Sequence, residues 1–208
     1  LNKGFYSGLC EEISETISSV KRTECVLLDI GCGEGYYTSY IKTVCNISDV
    51  YGIDISKNAL QYAGKSDDSI KYAVASAFQL PFNVKTADLL LNIFAPCAYD
   101  EFNRVLKDDG FLVKVVPLSE HLWELKKAIY AQPYKNKPEV KDAELFQMVE
   151  SKELKYSITL NSQEDIYNLF TMTPYYYKTG IEDQQKIINL DYLETQAEFE
   201  IRVYRKDK

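Results

Sequence analysis

The stretch Val26-Leu27-Leu28-Asp29-Ile30-Gly31-Cys32-Gly33-Glu34-Gly35-Tyr36 decides the fold. An apolar run ends in an aspartate, three alternating glycines follow, and a helix-like segment comes next. Nineteen residues beyond Gly35, a second apolar run, Val50-Tyr51-Gly52-Ile53, closes on Asp54. Strand, glycine turn, helix, and a carboxylate at the end of the next strand describe a nucleotide-ligand loop with a ribose-reading acid behind it. A glycine-rich turn without a ligand would explain the glycines, but not Asp54 at that distance.

The charges choose the ligand. A dinucleotide seats its pyrophosphate on a helix N-terminus, where N–H groups and the dipole welcome negative charge. Here Asp29 precedes the turn and Glu34 lies within it, and both would repel a pyrophosphate. Tyr36 and Tyr37 also occupy the place of the dinucleotide fingerprint's third glycine. S-adenosylmethionine carries a sulfonium and an ammonium, which an acidic loop accepts through charge-assisted contacts. Gly31 and Gly33 would let the backbone approach its methionine part, and Asp54 would accept both ribose hydroxyls.

The chain has 208 residues, enough for one α/β domain, with 46% hydrophobic and 26% charged residues, as in an ordinary globule. It opens at Leu1 rather than methionine, which fits a piece of something longer. No apolar run has the length of a membrane span. Cys10, Cys25, Cys32, Cys45 and Cys97 form no C-x-x-C pair and there is a single histidine, so no metal site is expected. Scattered cysteines fit reduced thiols in the cytoplasm, with Cys25 and Cys32 as small core residues. The net charge of −7 and pI of about 4.9 count against RNA as substrate unless a basic patch is local, since free-standing nucleic-acid binders are usually basic. No membrane or DNA partner is expected, and the oligomeric state is open. Most of the 17 tyrosines are expected to fill half-buried core positions.

Periodicity predicts a leading helix over 5–21, with Leu9, Ile13, Ile17 and Val20 on one face. Strands follow at 25–30, 49–53, 70–75, 87–93 and 111–116. Helices begin near Gly35, after a Ser56 cap, and at 98–107. Asp108-Asp109-Gly110 reads as a turn. This alternation is a doubly wound, mostly parallel sheet over a core of 25–117, with Asp29, Asp54, Ser76 and Asn92 at the carboxyl ends of its strands. Residues 120–130 read as a helix and 118–150 as a lid and substrate-facing segment. Residues 151–206 read as an edge hairpin, 152–160 with 196–204, around a helix at 163–171. The whole chain, 1–208, is taken as a single domain.

On these residues the chain resembles the methyltransferase domain of the bacterial 23S ribosomal RNA guanine-N1 methyltransferases. The resemblance is carried by Asp29-Ile30-Gly31-Cys32-Gly33-Glu34-Gly35-Tyr36-Tyr37-Thr38, Gly52-Ile53-Asp54-Ile55-Ser56-Lys57 and Leu80-Pro81-Phe82, which are generic to class I methyltransferases. More particular to the family are Ala95-Pro96-Cys97, His121-Leu122-Trp123-Glu124-Leu125-Lys126 and Met172-Thr173-Pro174. It implies a seven-stranded Rossmann-like sheet with an antiparallel edge strand, S-adenosyl-L-methionine as donor, and N1 of one guanine in 23S rRNA as acceptor, with a link to macrolide-type antibiotic response. Cofactor contacts then fall on Asp29, Gly31, Gly33, Gly35, Tyr36, Asp54, Ile55, Ser76, Ala77, Asn92 and Phe94. Two departures stand out. The family's N-terminal four-cysteine zinc module is absent, and Ser76 stands where many class I enzymes place an aspartate on the adenine amino group. A serine there accepts one hydrogen bond, with the Ala77 N–H meeting the ring nitrogen, or merely shapes a loop.

Methyl transfer from an activated donor asks mainly for positioning and desolvation, but guanine N1 carries a proton that must be lost. His121, Glu120 and Glu124 are candidate bases, against roles as a locally packed histidine and as helix-surface carboxylates. Asn92 and Phe94-Ala95-Pro96-Cys97 would orient the acceptor and the methionine ammonium, against a proline-stiffened strand exit. Lys126, Lys127, Lys135, Lys137 and Lys141 form the one basic cluster suited to phosphates, against a solvated face. Phe170, Tyr175 and Tyr176 would stack a flipped guanine or serve as core. A small-molecule methyltransferase and a non-catalytic cofactor-binding module are the alternatives.

Overall fold

A computed structural model describes residues 4–138 and 145–207. Seven strands form one sheet: β1 (Val26–Ile30), β2 (Asp49–Asp54), β3 (Lys71–Val74), β4 (Ala87–Ile93), β5 (Leu106–Pro117), β6 (Phe146–Leu160) and β7 (Leu193–Lys206). Their order is β3-β2-β1-β4-β5-β7-β6, parallel from β3 to β5 and with antiparallel strands at the edge. The doubly wound reading therefore holds, and the strand order reverses at β1 and β4, where open α/β sheets bind ligands.

The described residues of Leu1–Val116, Val140–Lys152 and Glu200–Lys208 make one compact unit, and those of Pro117–Glu139 and Glu153–Phe199 a second. In the first, α1 (Ser7–Val20) buries Leu9, Ile13 and Ile17, and α2 (Tyr36–Val44) follows the glycine turn. Ser56 caps α3 (Lys57–Ser66) by accepting from the Ala59 N–H. On one face of the sheet, Leu28, Ile30, Leu90 and Leu112 pack with Phe102 and Val105 of α4 (Tyr99–Val105) and with Phe146 and Tyr204. Gly52 is required by crowding, because a Cβ there would stand 2.5 Å from the Tyr72 ring and 2.9 Å from Cys32 Sγ.

In the second unit, α5 (Trp123–Ile129) packs on α7 (Ile181–Ile188), and α7 packs on α6 (Gln163–Thr171). Ser162 caps α6, accepting from the Asp165 N–H at 3.2 Å. Sequence periodicity does not reveal α7 or the 3-10 turn Tyr176–Lys178. Only Ile187 of the eight residues of α7 is buried and Ile181 is exposed, so this short helix carries little core signal.

Five boundaries move. The edge strands are longer than expected and begin at Phe146 and Leu193. The helix expected over 98–107 stops at Val105, and Leu106 already pairs with Ala87. Asp108-Asp109-Gly110 is not a turn before a strand but a bulge inside β5, where the register jumps from Leu106 to Phe111 and Asp109 has φ 59°. The expected helix 120–130 begins only at Trp123, after Leu122 at φ 54°.

Tyr72 lies against Gly52 and Gly35, yet its hydroxyl is buried without a partner among the described residues. A buried orphan hydroxyl destabilises. Tyr72→Phe is therefore expected to unfold at equal or higher urea concentration than the parent. Gly52→Ala, which must displace the ring or Cys32, is expected to lose about 1–3 kcal/mol in the same titration.

Candidate functional site

The turn after β1 is hung on the end of β2. The Gly31 and Cys32 N–H groups both donate to the Ile53 carbonyl, at 2.7 and 3.0 Å. Asp54 then braces the turn from the same strand end: Oδ2 accepts from the Gly33 N–H and Oδ1 from the Ser56 N–H, both at 2.8 Å. Each oxygen keeps a second lone pair, the one a ribose hydroxyl would use. Gly31, Gly33 and Gly35 have φ of 82°, 56° and 77°. At Gly31 space is decisive as well, because an added Cβ would stand 2.3 Å from Ala95 Cβ. The β4 exit therefore touches the turn directly, which joins Phe94-Ala95-Pro96 to the site.

Asp29 does not rim the turn. It is 2% exposed, beneath it, and Oδ2 accepts from Thr38 Oγ1 at 2.5 Å. Burial pushes its carboxyl up to about 7, the Thr38 hydrogen bond opposes this, and the Asp54 charge adds to it. Glu34 is the exposed carboxylate of the turn. Tyr36 turns away from it: its hydroxyl hydrogen-bonds the Cys10 thiol of α1, and burial pushes that hydroxyl up to about 12. Ile55 is 76% exposed beside Asp54. Ser76 Oγ accepts from the Phe78 N–H at 3.2 Å, within a tight turn closed by a Gln79–Ser76 backbone bond, and Ala77 is half-buried there.

Asn92 is fully buried, and Nδ2 donates to the carbonyls of Ile30, at 3.3 Å, and Pro96, at 3.2 Å. This ties the ends of β1 and β4 together. Its Oδ1 has no partner among the described residues. Lys114, its register neighbour on β5, is also buried and donates to the Tyr99 hydroxyl at 3.2 Å. Sequence reasoning missed Lys114; a lysine inside the apolar run 111–116 was the available signal. It also missed the clamp on Leu80-Pro81-Phe82. There Glu101 accepts from the Leu80 N–H at 2.6 Å, while Arg104 pairs with Glu101 and donates to the Phe82 and Leu80 carbonyls.

The second unit accounts for the other candidates. His121 is 8% exposed, packs on Phe199 at 4.7 Å, and its Nδ1 accepts from the Glu198 N–H at 3.1 Å. Burial and the nearby Lys126 hold it well down, at about 3, so it is neutral with its proton on Nε2. That leaves no lone pair free to take a proton, which argues for the packing role. Glu124 accepts from Thr195 Oγ1 at 3.1 Å and pairs with Lys127. Glu120 pairs with Lys135.

Lys126 corrects the basic cluster. It is fully buried, donates to the Tyr134 carbonyl and Asn136 Oδ1, and sits over the Tyr134 and Tyr175 rings. Lys127 and Lys135 are ion-paired, Lys137 is exposed, and Lys141 lies outside the described residues. Phe170 and Tyr175 are core, and Tyr176 packs edge-on against Phe170.

Residues 28–114 match the family described as methyltransferase domain. Over those residues the chain is similar to class I S-adenosylmethionine-dependent methyltransferase domains. S-adenosyl-L-methionine is the cofactor of this domain. The chain is 35% identical over 184 residues to YxjB of Bacillus subtilis (strain 168), provisionally named a 23S rRNA (guanine-N(1)-)-methyltransferase, covering 82% of this chain and 64% of that one. It is 31% identical to the 23S rRNA (guanine(748)-N(1))-methyltransferase of Streptomyces fradiae, over 62% of this chain and 47% of that one. A malonyl-[acyl-carrier protein] O-methyltransferase of Hahella chejuensis is 29% identical, over 59% and 48%. The chain thus spans less than two thirds of these relatives' length. Among solved structures, the YcgJ protein of Bacillus subtilis shares the fold, with TM-score 0.62 at 15% identity, covering 95% of this chain and 99% of that one.

The Asp29 environment sets a pH dependence. Its carboxyl rises from 3.8 in the unfolded chain to about 7 in the fold. Between those values the folded state holds a proton that the unfolded state has lost, so stability falls as pH rises through that window. Asp29→Asn is expected to lack this fall and to gain on the parent by up to about 4 kcal/mol between pH 4 and 8. Urea titrations giving parallel pH profiles for the two proteins would refute the burial argument.

Proposed function

We propose that this protein transfers a methyl group from S-adenosylmethionine to N1 of a guanine in 23S rRNA. The observation that carries the reading is the likeness to the Bacillus subtilis relative, which extends well beyond the generic domain at residues 28–114.

The site fits the cofactor on observations of this chain: a turn that excludes a Cβ at Gly31, a braced carboxylate at Asp54 and a buried acceptor at Asn92 with no partner among the described residues. Asp54 would hold the ribose hydroxyls, with Ile55, Ser76 and Ala77 as the residues to hold the adenine. Gly31, Gly33 and Gly35 admit the methionine part, and Asn92 with the Phe94 backbone orients its ammonium and the acceptor. When bound, S-adenosylmethionine would supply an activated sulfonium methyl for the acceptor nitrogen, whose N1 proton would pass to a base or water. His121 and Glu124 are structural in this reading, and the proton acceptor is a group other than His121.

A small-molecule acceptor is the second reading, supported by the net charge of −7 and by the ion-paired lysines of the expected basic cluster. The test is methyl transfer from tritiated cofactor to 23S rRNA of a strain lacking the modification, using the full-length protein. Label in guanine N1 is expected, and label in no RNA favours the small-molecule reading. Asp54→Ala is expected to weaken cofactor binding about 10- to 100-fold by titration calorimetry, through loss of charge-assisted hydrogen bonds. Unchanged affinity would remove Asp54 from the site.

A further inference from the structure

The β4 exit holds a bulky residue where the backbone favours glycine. Phe94 has φ 54°, and its ring is nonetheless 47% exposed. A phenylalanine is an outlier in that region, and such strain persists only where the surroundings over-determine it. They do so here: the Phe94 N–H donates to the Val115 carbonyl at 3.2 Å, Asn92 holds the Pro96 carbonyl, and Ala95 is pressed against Gly31. Asparagine or glycine would relax the backbone. The phenyl ring is thus set, at a conformational cost and only half-buried, beside the glycine turn.

A second ring meets it. Tyr37, in the first turn of α2, stands edge-on to Phe94, with centroids 6.5 Å apart and planes at 75°. One ring comes from the exit of β1 and the other from the exit of β4, the two strands at which the sheet order reverses.

We propose that Phe94 is an acceptor-binding residue whose ring, propped by Tyr37, stacks the planar heteroaromatic acceptor, a nucleobase turned out of its RNA strand. The proposal rests on the RNA reading above and names what recognises the base. Stacking on a ring face needs no positive charge and tolerates any base, so hydrogen bonds must select guanine. It suits an acidic chain. It also moves stacking away from Phe170 and Tyr175, which are buried.

The test uses the full chain with S-adenosylhomocysteine and 2-aminopurine riboside 5′-monophosphate, whose fluorescence is quenched by stacking. The parent is expected to quench it. Phe94→Tyr, which keeps the ring, should quench alike. Phe94→Asn, which keeps the left-handed backbone and loses the ring, should weaken apparent affinity at least tenfold while still unfolding cooperatively. Should Phe94→Asn fail to fold, Phe94→Leu is judged by the same tenfold criterion. Absence of quenching by the parent, or full quenching by the ringless variant, overturns the proposal. The rRNA labelling assay separates the two readings. Quenching that depends on Phe94 with no RNA labelled sinks the RNA acceptor alone, and rRNA labelled equally by parent and Phe94→Leu sinks the stacking role alone.

Discussion

The approach of the Gly31 backbone to Ala95 is the constraint on which the rest depends. Where a Cβ would lie 2.3 Å from a neighbouring methyl, the chain can pass only as glycine. That contact fixes the distance between the turn after β1 and the exit of β4, and the Ile53 carbonyl fixes the same turn to the end of β2. Three strand ends are thereby held as one piece before any ligand arrives. Asp54 completes it by spending one lone pair of each oxygen on the Gly33 and Ser56 amides, which orients the carboxylate. A site made ready in this way loses little conformational entropy on binding.

Readiness has a cost, visible as polar groups where apolar ones would be more stable. Asp29 is buried with a hydroxyl for company, Asn92 keeps an oxygen without a partner among the described residues, and Lys114 lies in the middle of an apolar strand. All three are on central strands, Asp29 and Asn92 near the carboxyl ends. A globule selected for stability alone would fill these positions with leucine or valine. Their concentration at one edge of the sheet, against the apolar packing of Leu28, Leu90 and Phe102 beneath, marks the edge given over to a ligand.

Much of this was legible in the sequence because strand and turn chemistry is local. The apolar runs over β1 and β4, the glycine spacing and the Ser56 cap each depend on residues a few positions apart, and each lies where periodicity put it. What escaped depends on contacts distant in sequence. The Arg104 clamp reaches back more than twenty residues to Leu80 and Phe82. Lys126 reads as a solvent-seeking charge on its helix until Tyr134, Asn136 and Tyr175 close around it. Asp29 reads as part of an acidic rim, and its burial under Thr38 emerges only when β1 and α2 fold onto each other. Composition was least informative for α7, whose polar sequence hides a helix with one buried residue.

The charge distribution bears on how an RNA acceptor would be held. Phosphate recognition needs uncommitted cations, and its affinity falls steeply with salt as counterions are displaced. In this chain Lys71, Lys85, Lys107, Lys127, Lys135, Lys152 and Lys186 are each within ion-pair distance of a carboxylate, and Lys114 and Lys126 are buried. A paired lysine offers a phosphate little net field, because its carboxylate repels what its ammonium attracts. Ring faces do not suffer this cancellation, since the stacking of a base on phenylalanine is indifferent to the sign of the surrounding charge. For a chain of net charge −7, stacking of a base on Phe94 is therefore a contact that these ion-paired and buried lysines would leave intact.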